Sequence, residues 1–185
     1  MSQMNGDMEW SFDTGWSWIA VVRLTATSQP RRKVFFEQGS RVNGEPGFTI
    51  QMDYLDRLSL VLRDRSGRLT GTPPIAPEIY AYRDVWLLAE IICDPFDPAT
   101  RTRTLRSNLS VHGASATKEI VTTGDYGGPI EQGAYSFGAS LAETDPATFR
   151  LYEFATLGRA PLTGTEKTDI AAHYQQKYDF GGGDD

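Results

Sequence analysis

The chain has 185 residues and a formal net charge of -6, with 18 Lys and Arg against 24 Asp and Glu. A chain of this length fits one domain that buries roughly 70% of its unfolded surface, so an ordinary core suffices to fold it without a disulfide or a metal. The acidic balance excludes a nucleic-acid partner, whose phosphates demand clustered Lys and Arg; the short basic clusters at 31–33 and at Arg101, Arg103 and Arg106 have acidic residues close by.

Residues 1–17 have neither the basic start nor the apolar run of a secretory signal. The expectation is synthesis in the cytoplasm without a signal peptide, with a virion surface as a compatible destination. The segment holds Met4, Met8, Trp10, Phe12 and Trp16 without a regular period, and reads as an apolar N-terminal arm. Met8, Trp10, Phe12 and Trp16 are its candidate assembly contacts, closing the domain's own sheet edge or docking on a neighbour. Removal of residues 1–16 is then expected to leave a folded sandwich.

From Trp18 the pattern becomes period two, broken by Gly, Pro, Asp and Asn clusters, as expected of half-buried antiparallel strands joined by turns. In 17–26, Trp18, Ala20, Val22 and Leu24 share a face; 33–38 follows, rich in Val34, Phe35 and Phe36. In 47–53, Phe48, Ile50 and Met52 oppose Thr49, Gln51 and Asp53, and in 57–64, Leu58, Leu60 and Leu62 oppose Arg57, Ser59 and Arg63. Segment 85–94 is apolar on both faces and reads as a central strand. It is the longest apolar run but is broken by Glu90, so no segment reaches the roughly 18 residues that cross a bilayer. Its Cys93 is the only cysteine, which rules out an intrachain disulfide and reads as a buried, inert thiol. Segment 104–112 sets Leu105, Leu109 and Val111 against Arg106, Asn108 and Ser110; 115–122, 134–140 and 149–156 bring the total to about nine or ten strands.

The period changes after residue 162. Thr163 and Glu166 fit a capping box, and Ile170, Tyr174 and Tyr178 recur at i+4 on one face of a helix of roughly four turns. The organisation is an arm (1–17), an all-β two-sheet antiparallel sandwich closed by one short C-terminal helix (18–180), and a flexible tail (181–185). The stretch FRLYEFATLGRAPLTGTEKTDIAAHYQQKYDF, with weaker support from FTIQMD, RLSLVLRD, NLSVHG and YSFGAS, resembles the concanavalin A-like lectin and glucanase superfamily, in particular its laminin G-like branch. The resemblance implies a curved jelly-roll sandwich. It also implies a choice among sugar-binding lectins, glycoside hydrolases, adhesion modules and virion components, so function has to come from sites.

A glycosidase needs two carboxylates about 5.5 Å apart for retention or about 6.5 to 9.5 Å for inversion. Glu90 and Asp94 lie on one face of a strand but roughly 13 Å apart at ~3.3 Å per residue. Glucanases of the resembled superfamily carry acidic residues at alternate strand positions, and Ile92 occupies the middle one here. No catalytic residue is therefore assigned, unless Glu37 or Glu153 approaches from another strand. His112 and His173 lie in no nucleophile motif. Asp94, Asp97, Asp125 and Asp145 follow strands as calcium ligands of laminin G-like domains do, but three of them directly precede a proline, which is ordinary turn chemistry, and no metal or other cofactor is expected. Exposed aromatic rings stack on the apolar faces of sugars, making Tyr54, Tyr80, Tyr82, Tyr126 and Tyr135 the candidate ligand-binding residues; Trp18 and Trp86 read as core. The expected function is a non-catalytic carbohydrate- or protein-binding module, a homo-oligomer or part of a virion scaffold such as a bacteriophage decoration or fibre component. A glycoside hydrolase of the same superfamily and a free cytoplasmic binding domain are the alternatives.

Overall fold

The computed structural model describes residues 4–11, 15–24, 32–39, 47–63, 69–80, 84–112, 114–123, 129–138, 147, 149–178 and 180; side-chain placements are described for all of these except 4–11, 120–123 and 129–134. The strands in chain order are β1 (Met4–Ser11), β2 (Trp16–Leu24), β3 (Lys33–Gln38), β4 (Gly47–Met52), β5 (Leu58–Arg63), β6 (Leu69–Gly71), β7 (Asp84–Cys93), β8 (Thr102–Val111), β9 (Ala114–Thr123), β10 (Pro129–Phe137) and β11 (Phe149–Leu157), followed by helix α1 (Gly164–Lys177). They form a six-stranded sheet in the order β1-β10-β3-β4-β5-β6 and a five-stranded sheet in the order β11-β2-β7-β8-β9.

The core lies between the two sheets, where the alternation of each strand points its apolar set inward. Trp18, Ala20, Val22 and Leu24 of β2 and Leu105, Leu109 and Val111 of β8 meet Phe48, Ile50 and Met52 of β4 and Leu58, Leu60 and Leu62 of β5. Aromatic rings fill its centre: Trp16 lies 4.2 Å from Phe48, Trp18 5.3 Å from Phe36, and Phe36 4.9 Å from Phe137, centroid to centroid. Phe35 and Phe36 are both buried in this cluster although adjacent in sequence. A register shift between Val34 and Phe36 explains it, since a bulge lets two successive residues face the same side. Gly47 is required because a β-carbon there would stand 1.9 Å from the carbonyl oxygen of Gln38.

Two expectations need correction. The strands β4 and β5, expected to be half-buried, are covered on much of their polar faces as well: Thr49, Ser59 and Arg63 are buried. Ser136, Glu37, Thr49 and Val61 form one row across β10, β3, β4 and β5 on that face, where the Arg63 guanidinium donates to the Gly39 carbonyl at 2.8 Å and lies 4.0 Å from the Glu37 carboxylate. The second correction concerns Trp16, expected as an assembly contact of the arm; the arm's backbone takes the first of its two expected roles, at the sheet's own edge. The backbone of 4–11 pairs with β10 from Met4 opposite Phe137 to Ser11 opposite Pro129, and Trp16 opens β2 with no exposed surface.

Helix α1 packs on the outer face of the five-stranded sheet, where Ile19, Val21 and Leu88 meet Leu162, Tyr174 and Phe180, with Trp86, Leu157, Ile170 and Tyr178 half-buried around them. Thr163 caps it as expected: its hydroxyl accepts from the Glu166 N–H at 3.2 Å while the Glu166 carboxylate accepts from the Thr163 N–H at 2.8 Å. Tyr178 is the C-cap residue rather than a helical one. No helix among the described residues is long and apolar enough to cross a membrane.

Candidate functional site

The connection from β4 to β5 is a five-residue tip, Asp53 to Arg57, built around one carboxylate. Asp53 Oδ1 accepts the backbone N–H groups of Leu55 at 2.9 Å and Arg57 at 3.0 Å, and Oδ2 accepts Arg57 Nε at 2.8 Å. This is the side-chain turn chemistry that Asp is suited to. Partial burial by itself raises the Asp53 pKa, but the Arg57 side-chain bond and the two backbone N–H bonds outweigh it and hold the carboxyl below its ordinary value. Asp56 takes a left-handed conformation at φ 57, which Asp tolerates better than most residues. Buried Lys33 pairs with its carboxylate, and the Tyr80 hydroxyl donates to its carbonyl oxygen. Burial first, and then the Asp56 charge, push the Tyr80 phenol well above its ordinary range, so it remains a donor.

The consequence is a rigid tip that exposes Tyr54 to 62% and Leu55 to 52%. An aromatic ring held in water by a locked backbone can stack on an apolar ligand face, and the Asp53–Arg57 ion pair beside it is 2.6 Å at its shortest.

The other candidates are placed differently. Tyr80 is fully buried, so it has no face to offer and instead braces the tip from below. Tyr135 is half-buried and packs on Phe36 and Phe137 at 6.2 and 6.0 Å. Tyr82, Tyr126, Phe12, Asp125 and Asp145 lie outside the described residues, and the side chains of Met8 and Trp10 are not described. Trp18 is in the core as expected, while Trp86 is half-buried under the helix.

Glu90 and Asp94, the carboxylates singled out in the sequence, are each committed to other contacts. Glu90 has no exposed surface and is consumed beneath the C-terminal arm, accepting from the Leu162 N–H at 2.9 Å, Lys167 Nζ at 2.8 Å and Asn108 Nδ2 at 2.7 Å. Asp94 is tied to Arg106 at the surface. Asp97 folds its own turn, accepting the Ala99 N–H and the Thr100 hydroxyl, both at 2.8 Å, which holds its pKa below the ordinary value. Among the described residues no three His, Cys, Asp or Glu side chains gather as metal ligands. The sequence reading passed over Tyr152, 43% exposed on β11. The available signal was a break in parity, since Phe149 and Leu151 are spaced by two and Leu151 and Phe154 by three.

No protein-family model matches the chain, and no curated protein matches it. Among solved structures, a native heptameric SAP-like pentraxin from Limulus polyphemus is similar over 91% of this chain and 75% of its own, with a TM-score of 0.58 and 11% identity. The carbohydrate-binding module CBM40 of the Ruminococcus gnavus IT-sialidase, bound to α2,3-sialyllactose, is similar over 92% of this chain and 97% of its own, with a TM-score of 0.55 and 10% identity. The fold is the lectin-like jelly roll. A tailspike protein 2 from a bacteriophage of Escherichia coli O157:H7 contains it too: the likeness covers 93% of this chain but 23% of the tailspike, with a TM-score of 0.52 and 11% identity.

Proposed function

We propose that this chain is a non-catalytic glycan-binding module of the laminin G-like kind, with Tyr54 at the β4–β5 tip as its stacking platform. The observation that carries the reading is that tip: a ring 62% exposed on a backbone locked by Asp53, Lys33 and Tyr80. Binding then costs little ordering entropy. The jelly roll supports it, because the similar Ruminococcus module, of nearly the same extent as this chain, is bound to a sialyllactose. The commitment of Glu90 to the helix arm and of Asp94 to Arg106 supports the non-catalytic half.

A glycan array followed by titration calorimetry tests the reading. Tyr54→Ala is expected to weaken binding about tenfold while leaving the unfolding temperature unchanged, as befits an exposed ring. Unaltered affinity in that variant overturns the platform, and capture of a protein but no glycan by the full chain overturns the ligand class.

We further propose display on a multivalent assembly, with a bacteriophage virion as one such setting. Support comes from the similar pentraxin being heptameric and the similar tailspike being a virion part, and from the gain of ~10² to 10⁴ in avidity that linked weak sites obtain.

A further inference from the structure

On the outer face of the five-stranded sheet, at the C-terminal end of α1, two tyrosines and two ion pairs come together from four elements. The register shift between Leu151 and Glu153 makes Tyr152 the extra residue of edge strand β11. A regular strand would point Tyr152 and Glu153 to opposite faces. With the bulge, both serve the helix-bearing face: Tyr152 Oη donates to Asp84 Oδ1 at 3.1 Å, and Glu153 meets Lys177 and Tyr178 of the helix end. The two rings lie 6.0 Å apart, inclined at 51°.

Each carboxylate is used in the same one-sided way. Asp84 Oδ1 takes both the Tyr152 hydroxyl and Arg23 Nε, the latter at 2.7 Å. Glu153 Oε2 takes both Lys177 Nζ and the Tyr178 hydroxyl, the latter at 3.1 Å. Asp84 Oδ2 and Glu153 Oε1 have no hydrogen-bond partner among the described residues, and both side chains retain exposed surface, 20% and 31%. The Tyr152 side chain keeps 43% of its surface exposed.

We propose that Tyr152 and Tyr178 form a second subsite, on the sheet opposite to the one that carries Tyr54, which binds a neutral pyranose. The exposed Tyr152 ring meets the apolar C–H face of the sugar with the edge of half-buried Tyr178 beside it, and the open oxygens of Asp84 and Glu153 accept its hydroxyl hydrogens. Both tyrosine hydroxyls already donate inward, so the site presents acceptors and suits a ligand rich in donors. The Lys177 bond first, then that of Tyr178, keeps Glu153 below its ordinary pKa against the opposing effect of burial, so it is an ionised acceptor. A sugar carboxylate would face these two anions, and a ligand cation would meet Arg23 and the Lys177 ammonium already 5.5 Å from the Tyr178 ring. The subsite deepens the glycan-binding reading but uses residues separate from the tip.

The test is an NMR titration of the full chain with methyl β-glucopyranoside and methyl β-galactopyranoside, and in parallel with N-acetylneuraminic acid and tetramethylammonium, following the assigned tyrosine ring resonances. A neutral pyranoside should shift Tyr152 and Tyr178, and should still do so in Tyr54→Ala. Tyr152→Ala should weaken that binding about tenfold, and Tyr152→Phe, which keeps the ring but not its lock, by less. Thermal unfolding of both variants confirms the fold. Shifts confined to Tyr54, or lost entirely in Tyr54→Ala, overturn the second subsite and leave the tip standing. Shifts at Tyr152 that persist when Tyr54→Ala changes nothing uphold the subsite and overturn the tip. Preference for the acidic sugar or the ammonium ion at Tyr152 overturns the assigned chemistry, and no response there to any of the four probes overturns the subsite.

Discussion

Glu90 sits mid-strand in β7, opposite Ser17 and Asn108, and all of its surface is buried. A carboxylate there is tolerated because three donors surround it, one of them a charged lysine. Removing it strands the Leu162 N–H and the Lys167 ammonium at the sheet. Glu90→Ala is expected to lower the unfolding free energy by about 3 kcal/mol, measured from the urea midpoint, and Glu90→Gln by less because the amide still accepts one bond. The Gln variant is also expected to leave any glycan-cleaving activity untouched; loss of such activity in a folded E90Q protein would make the residue catalytic. Trp16 teaches the same lesson from the apolar side. Its ring stacks among Phe36 and Phe48, so Trp16→Ala should cost about 3 to 5 kcal/mol.

Helix α1 is fastened by local and distant contacts of different kinds. Its amphipathic face contributes Tyr174, buried against the outer-sheet cluster, and Tyr174→Ala is expected to cost about 3 kcal/mol in the same denaturation assay. Its start carries the capping box, where the Arg159 side-chain bond first, and then the Thr163 backbone and hydroxyl bonds, take Glu166 from an ordinary 4.5 to about 2. The folded pKa is depressed, so the folded state binds fewer protons than the unfolded one. This contribution is complete above about 4.5 and is lost as the pH falls through about 2. Acid titration of helix signal by circular dichroism should therefore show Glu166→Gln and the parent chain converging below that window and the parent more helical above it. The capping box was legible because Thr163 and Glu166 are three residues apart; Lys167 bonding Glu90 was not, because 77 residues separate them.

For the whole molecule, the placement of the N-terminal segment changes which deletion is informative. A chain lacking residues 1–16 would lose a core tryptophan and is expected to unfold, contrary to the expectation for a detachable arm. A chain lacking residues 1–11 keeps Trp16 and removes only β1, whose far edge has no partner strand among the described residues. Such an edge is a natural place for pairing between copies. If the proposed assembly runs through it, light scattering should give a multimer for the full chain and a folded monomer for the shortened one; a monomer for the full chain removes the assembly from the proposal.

What the sequence by itself determined is the set of features carried by neighbours along the chain. The period-two segments announced an all-β sandwich, the alternation in 104–112 named the inward residues of β8, and the Thr163–Glu166 spacing placed the helix start. Each depends on backbone geometry over a few residues. Tertiary structure alone decided which faces are covered. Ser17 donates to the Arg159 carbonyl across 142 residues, Leu162 to Glu90 across 72, and such contacts leave no periodic trace. They fasten the arm before α1 to the five-stranded sheet, a cover that no residue of β2 or β7 announces by itself. Burial is a property of the packed sheets, and residue type alone cannot announce it.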